Sequence, residues 1–155
     1  MPEDKPIDLR RAVAAVVRRD DGLVLAVRRP DEPGEELPGV WGLPAATLRE
    51  GESPEEGLRR LGREKLGVEL TPLRPLAQGE QQRPFGGTRK DYTLHMTVYG
   101  ASLASEPKLP ARTAGAAVTL YDALDWLPAD ALREAAEKGS LCCRLLLEAS
   151  ASGAS

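Results

Sequence analysis

The segment from Ser53 to Gly67 carries both ends of a helix in its own residues. Ser53-Pro54-Glu55-Glu56 supplies a hydroxyl for the N-cap, a proline at the first helical position, where no amide bond is lost, and a glutamate spaced to close a capping box. Gly67 supplies the left-handed stop that a residue with a side chain resists. A helix is therefore predicted from Pro54 to about Leu66. Gly57 and Gly62 inside it each cost about 1 kcal/mol relative to alanine, which implies close approach of another backbone or a side-chain-free cleft wall.

Strand signals surround this helix. Ala12 to Arg19 and Leu23 to Arg28 are rich in valine and leucine, and Asp20-Asp21-Gly22 between them is a hairpin-turn signal, so two paired antiparallel strands are expected. Residues 31–39, with two prolines and two glycines, form a loop leading to Trp41-Gly42-Leu43-Pro44, followed by a short strand near Thr47 to Arg49. Tyr92 to Gly100 alternates with period two, placing His95, Thr97 and Tyr99 on the more polar face. Residues 102–113 read as a loop and Ala116 to Tyr121 as a short strand. Two helices close the chain, from about Pro128 to Lys138 and from Ser140 onward, the second burying Cys142, Leu145, Leu146 and Ala149. Such a mixture specifies an α/β fold with helices against a sheet. The expected organisation is a leader over 1–8, one domain over 9–148 and a tail over 149–155.

With 155 residues, 41% hydrophobic and 29% charged, one folded domain is expected and a disordered chain is excluded. No apolar run approaches the ~20 residues of a membrane span, and the N-terminus lacks a secretory pattern, so a cytoplasmic location without membrane partners is expected. The adjacent Cys142 and Cys143 suit a core better than a redox or metal site. A net charge of -3 provides no global basic field for nucleic acid, although 16 arginines stand against five lysines, several in pairs such as Arg18/Arg19 and Arg28/Arg29 that could meet an anionic ligand.

The stretch from Trp41 to Val68 resembles the signature region of the Nudix hydrolase family: glycine, five residues, glutamate, seven residues, then arginine, glutamate, an aliphatic, any residue, two glutamates, any residue, glycine and an aliphatic. Glu52, Arg60, Glu64, Gly67 and Val68 match five of its nine defined positions, and Trp41-Gly42-Leu43-Pro44 resembles the residues preceding the motif. The resemblance implies a Nudix-type α/β/α sandwich with a mixed sheet, magnesium or manganese as cofactor, and hydrolysis of a nucleoside diphosphate linked to another moiety. In the family, metal-bound carboxylates on this helix withdraw charge from phosphate and help activate water.

Four positions depart from that pattern: Ala46, Leu61, Gly62 and Lys65 replace glycine, glutamate, an aliphatic and the second paired glutamate. Positions 61, 64 and 65 are expected on one helix face, where three carboxylates become an isobutyl group, one carboxylate and one ammonium. Leu61 cannot ligate a metal, and Lys65 repels a divalent cation by roughly 1 to 4 kcal/mol per unit of the cation's charge at contact range. The candidate catalytic residues are Glu64 and Glu52, with Glu64 the remaining candidate metal ligand; a relocated site from Glu50, Glu52 and Glu80 is an alternative. Candidate ligand-binding residues are Lys65, Arg60, Arg28 and His95, with the Lys65 ammonium replacing part of the metal's charge against a diphosphate.

Bland readings stand beside these. Glu52 and Arg60 could form a structural ion pair, Leu61 a core contact beside Leu58, Glu64 a partner of Arg60, and His95 a satisfied strand residue. Gly86-Gly87 with Arg83, Arg89 and Lys90 is either a phosphate-facing loop or a hairpin tip, and Trp41, Phe85 and Tyr92 could stack on a base or fill the core. The leading expectation is a diverged Nudix protein that binds a phosphorylated small molecule or nucleotide, with hydrolysis weak or lost. A working hydrolase with an unorthodox metal site and a non-catalytic interaction module are the alternatives, and a homodimer is kept as a partner.

Overall fold

The structure, a computed structural model, describes residues 8–28, 39–83, 92–109 and 121–151. It is a sandwich in which helices cover both faces of a mixed sheet. Strands β1 (Asp8–Val16), β4 (Ala45–Thr47), β5 (Leu70–Arg83) and β6 (Tyr92–Leu103) form one sheet in the order β4-β1-β6-β5, with β1 parallel to β6 and the other neighbours antiparallel. Strands β2 (Val24–Arg28), β3 (Trp41–Gly42) and β7 (Ala123–Leu127) form a second, antiparallel sheet in the order β3-β2-β7.

Alternation along β1 splits the core in two. Ala12, Ala14 and Val16 pack with Leu94, Met96 and Val98 of β6 under the C-terminal helices α2 (Arg133–Glu137) and α3 (Leu141–Ala151). Val13, Ala15 and Val17 pack on the opposite face with Leu58, Leu61 and Leu66 under α1 (Pro54–Leu61). Those three leucines are fully buried, each worth about 2 kcal/mol of transfer free energy. Cys142 and Cys143 lie in the first core, and neighbouring thiol and burial together push the Cys143 thiol well above its ordinary range. No helix among the described residues is long and apolar enough to cross a membrane.

Several expectations change. The turn at Asp20-Asp21-Gly22 forms, with Arg19 N donating to Leu23 O at 2.9 Å and Leu25 N to Val17 O at 3.0 Å, but β1 and β2 then separate into different sheets. A strand has two edges, and those of β1 are taken by β4 and β6. The longest strand, β5, was not expected, and its Pro72, Pro75 and Gly79 are residues that argue against a strand interior. It is an edge strand with register shifts next to both prolines, where a missing amide donor is tolerated. β3 and β7 were also not expected; the strand expected at Thr47 to Arg49 lies at Ala45–Thr47, and β6 runs on through Leu103.

The expected polar face of β6 is covered, with Thr97 and Tyr99 both buried beneath α1. A 3-10 turn at Ala129–Leu132 precedes α2, so the predicted Pro128 to Lys138 helix is α-helical only over five residues. The first strand begins at Asp8 and the last helix runs to Ala151. Arg29, the 31–38 loop, Phe85, Gly86-Gly87, Arg89, Lys90, most of the 116–121 strand and the tail beyond residue 151 lie outside the described residues.

Candidate functional site

The capping box that starts α1 is complete: Ser53 Oγ accepts from Glu56 N at 3.1 Å, and Glu56 Oε1 accepts from Ser53 N at 3.0 Å. The helix does not continue in α geometry to Leu66. Gly62–Leu66 form a π-helical turn that ends on Gly67 at φ 66°. A Cβ on Gly62 would sit 2.5 Å from Val68 O and 3.0 Å from Leu70 N, so the backbone leading into β5 folds back against the helix where only glycine admits it. At Gly57 the space is filled by the Leu48 side chain.

This geometry removes the single face expected for residues 61, 64 and 65. Leu61 is 0% exposed and points into the core beside Leu58. Glu64 turns toward arginines, with Oε1 3.4 Å from Arg60 and Oε2 3.4 Å from Arg49. Lys65 Nζ donates to the Ala45 carbonyl at 3.0 Å and lies 5.3 Å from the Tyr121 ring centroid. Tyr121 OH also donates to Ala45 O at 3.2 Å and lies 3.0 Å from Ala45 N, so the end of β4 is clamped from two sides.

Arg60 and Glu52 make the most enclosed contact in this cluster, their side chains only 12% and 13% exposed. The guanidinium grips both carboxylate oxygens at 2.8 and 2.9 Å and donates to Thr47 O at 2.8 Å. Arg49 N donates to Glu52 Oε1 at 2.9 Å, and Arg11 reaches the Glu52 carbonyl at 3.2 Å. Hydrogen bonds from Arg60, against some cost of burial, hold the Glu52 carboxyl down at about 2. Such a group is a weak base, and its oxygens are already engaged.

Glu52, Arg60, Glu64 and Lys65 are thus brought together along α1 and its π turn. Arg28 lies on the second sheet, donating to Asp122 Oδ1 at 3.1 Å with its guanidinium 5.5 Å from the Trp41 ring centroid. His95 faces Glu80 across β5 and β6, Nδ1 to Oε2 3.3 Å, on the sheet face that α1 covers. Tyr92 meets Arg10, whose guanidinium lies 4.3 Å from its ring centroid. Arg49, Tyr121 and the Ala45 carbonyl were not singled out from the sequence, and Arg11 stood there only as one of several paired arginines. Their roles depend on long-range pairing and, at Ala45, on a backbone atom that carries no side-chain signal.

The donors present do not fit the divalent ion that the signature implies. Magnesium and manganese need several oxygen ligands around one point. Here one carboxylate is shared by two guanidinium groups, the next position holds an ammonium, and the third is apolar and buried. Among the described residues no group of three histidine, cysteine, aspartate or glutamate side chains is poised to hold a metal, so Glu50, Glu52 and Glu80 do not converge.

A sequence model of the NUDIX domain matches residues 8–143. The chain belongs to the NUDIX family. It is 26% identical over 151 residues to an RNA pyrophosphohydrolase of Gluconacetobacter diazotrophicus, covering 86% of each chain. It is 41% identical over 59 residues to a MutT-like protein of Streptomyces ambofaciens, a match covering 38% of this chain and 34% of that relative, so this chain spans about a third of that protein's length. Among solved structures, a NUDIX hydrolase from Nitrosomonas europaea superposes with a TM-score of 0.66 at 19% identity, covering 94% of this chain and 90% of that one. A MutT protein from Methanosarcina mazei gives 0.61 at 21% identity, covering 83% of each. At these identities the two structures establish the shared NUDIX fold.

Proposed function

We propose that this NUDIX protein binds a nucleoside diphosphate or related phosphorylated ligand, and that metal-assisted diphosphate hydrolysis is weak or lost. The observation that carries this reading is the Lys65 ammonium on the Ala45 carbonyl, with Leu61 withdrawn into the core. A fixed positive charge takes the place of one carboxylate, attracting phosphate and repelling a divalent cation. Arg49 is 64% exposed and only loosely paired with Glu64, so its guanidinium can exchange that carboxylate for a phosphate oxygen. In this reading Glu52 and Arg60 position the loop that carries Arg49, and Glu52 takes no proton from water.

A second reading, a working hydrolase, is favoured by the RNA pyrophosphohydrolase relative, which aligns over 86% of its length. One pair of measurements separates them. Calorimetry with nucleoside diphosphates and triphosphates in EDTA is expected to show binding that Lys65→Ala weakens threefold or more. With magnesium added, turnover is expected below about 0.1 s⁻¹, against a typical enzyme value of about 10 s⁻¹. Product release at ordinary enzyme rates would establish the second reading, and absence of nucleotide binding would refute the first.

A further inference from the structure

A cavity of about 860 Å³ lies where the C-terminal ends of β1 and β6 meet the start of β5 and Trp126 of β7, and it shares no residue with the Glu52 to Lys65 cluster. We propose that it binds a small organic anion, a flat or apolar body carrying a phosphate or carboxylate group.

Strand β5 shapes its wall. Pro72 pairs with Ala101 and Arg74 with Gly100, Pro75 pairs with Tyr99 and Ala77 with Val98, so Leu73 and Leu76 have no partner in the register. Bulges of this kind re-aim side chains, and both leucines line the cavity with Arg74 between them. Leu73 is 64% exposed, a large apolar side chain left in water at the cavity's edge. Val17, Ala101, Leu103 and Trp126 extend the same apolar surface.

The charge around this surface is complementary to an anion. Arg18, Arg19 and Arg74 line it against, among the described residues, a single acidic one, Glu106. Arg19 is committed, bonded to Asp21 and lying 5.1 Å from the Trp126 ring centroid, which fixes the indole as a wall. Arg18 and Arg74 are exposed, and among the described residues neither has a carboxylate in ion-pair range. Two uncommitted guanidinium groups beside apolar surface and the hydroxyls of Ser102 and Ser105 supply charge-assisted donors for the head of an anion and burial for its body. The volume falls in the range of small-molecule sites.

The test uses 1-naphthyl phosphate, with 1-naphthol and inorganic phosphate as its two halves, titrated into the full chain by calorimetry and by NMR of the Trp126 indole. The intact probe is expected to bind at least tenfold more tightly than either half and to shift the Trp126 signal. Arg18→Gln and Arg74→Gln are each expected to weaken it about three- to tenfold, and Leu73→Asp about tenfold, while Arg49→Gln leaves it unchanged. A 1-naphthyl carboxylate probe distinguishes a phosphate site from a general anion site, and binding of either supports the proposal. No binding at millimolar probe, or binding that Arg49→Gln weakens and Arg74→Gln does not, overturns it. A dimer that Leu73→Asp dissociates also overturns it, by assigning the surface to a second copy of the chain.

Discussion

Replacing Glu52 with glutamine separates a structural role for this residue from a proton-transfer role. The carboxylate is gripped through both oxygens by Arg60, and the pair is almost enclosed. A fall from the ordinary 4.5 to about 2 corresponds by linkage to about 3 kcal/mol of folding stability, and allowing for solvent reaching the edge of the pair leaves about 2 kcal/mol. Because the folded value lies below the unfolded one, this stability is complete above pH 4.5 and is lost progressively as pH falls toward 2. Urea unfolding of the native chain and Glu52→Gln, followed by circular dichroism between pH 3 and 7, is expected to show a gap of about 2 kcal/mol at pH 7 that narrows below pH 4.5. A gap that is independent of pH, or below about 0.5 kcal/mol at pH 7, would show that the Glu52–Arg60 pair does not stabilise the fold in this way.

Gly62→Ala should lower stability by about 3 kcal/mol, read as a fall in denaturation midpoint, because the new methyl meets the Val68 carbonyl and the Leu70 amide as well as Leu70 Cγ, and the backbone atoms cannot turn away; a loss under about 1 kcal/mol would show that the π turn relaxes freely. Cys142 and Cys143 should resist a thiol reagent such as DTNB in the native chain and both react in urea, since both are buried and the Cys143 thiol is held in its protonated form. Rapid labelling without denaturant would contradict the packing of α3.

What the sequence made legible was local. The Ser53 cap and the Gly67 stop bracket the helical segment, the Asp-Gly turn occurs where expected, and the alternation of Tyr92 to Val98 marks β6. β5 was hidden because its prolines are signals against a central strand, whereas an edge strand with bulges accommodates them. The division of β1 and β2 between two sheets follows from competition for strand edges, which a single hairpin signal does not express. At the site, motif spacing pointed to Glu52, Arg60 and Glu64, which contact one another, and to Lys65 on the adjoining turn. The reading of Leu61 as a core contact beside Leu58 agrees with its burial, but the π turn that carries Lys65 onto Ala45 was not visible, because an ideal helix was assumed through Leu66. Tyr121 and Arg49 join the cluster through folding across long stretches of chain and had no local mark.

The occupation of the cation face by Lys65 is tested most directly by electron paramagnetic resonance titration of the native chain and Lys65→Glu with manganese. No site tighter than about 1 mM is expected in the native chain, and at least a tenfold gain is expected in the variant, where Glu64, the new carboxylate and the released Ala45 carbonyl supply oxygen donors. A stoichiometric micromolar site in the native chain that Lys65→Glu leaves unaltered would contradict the account.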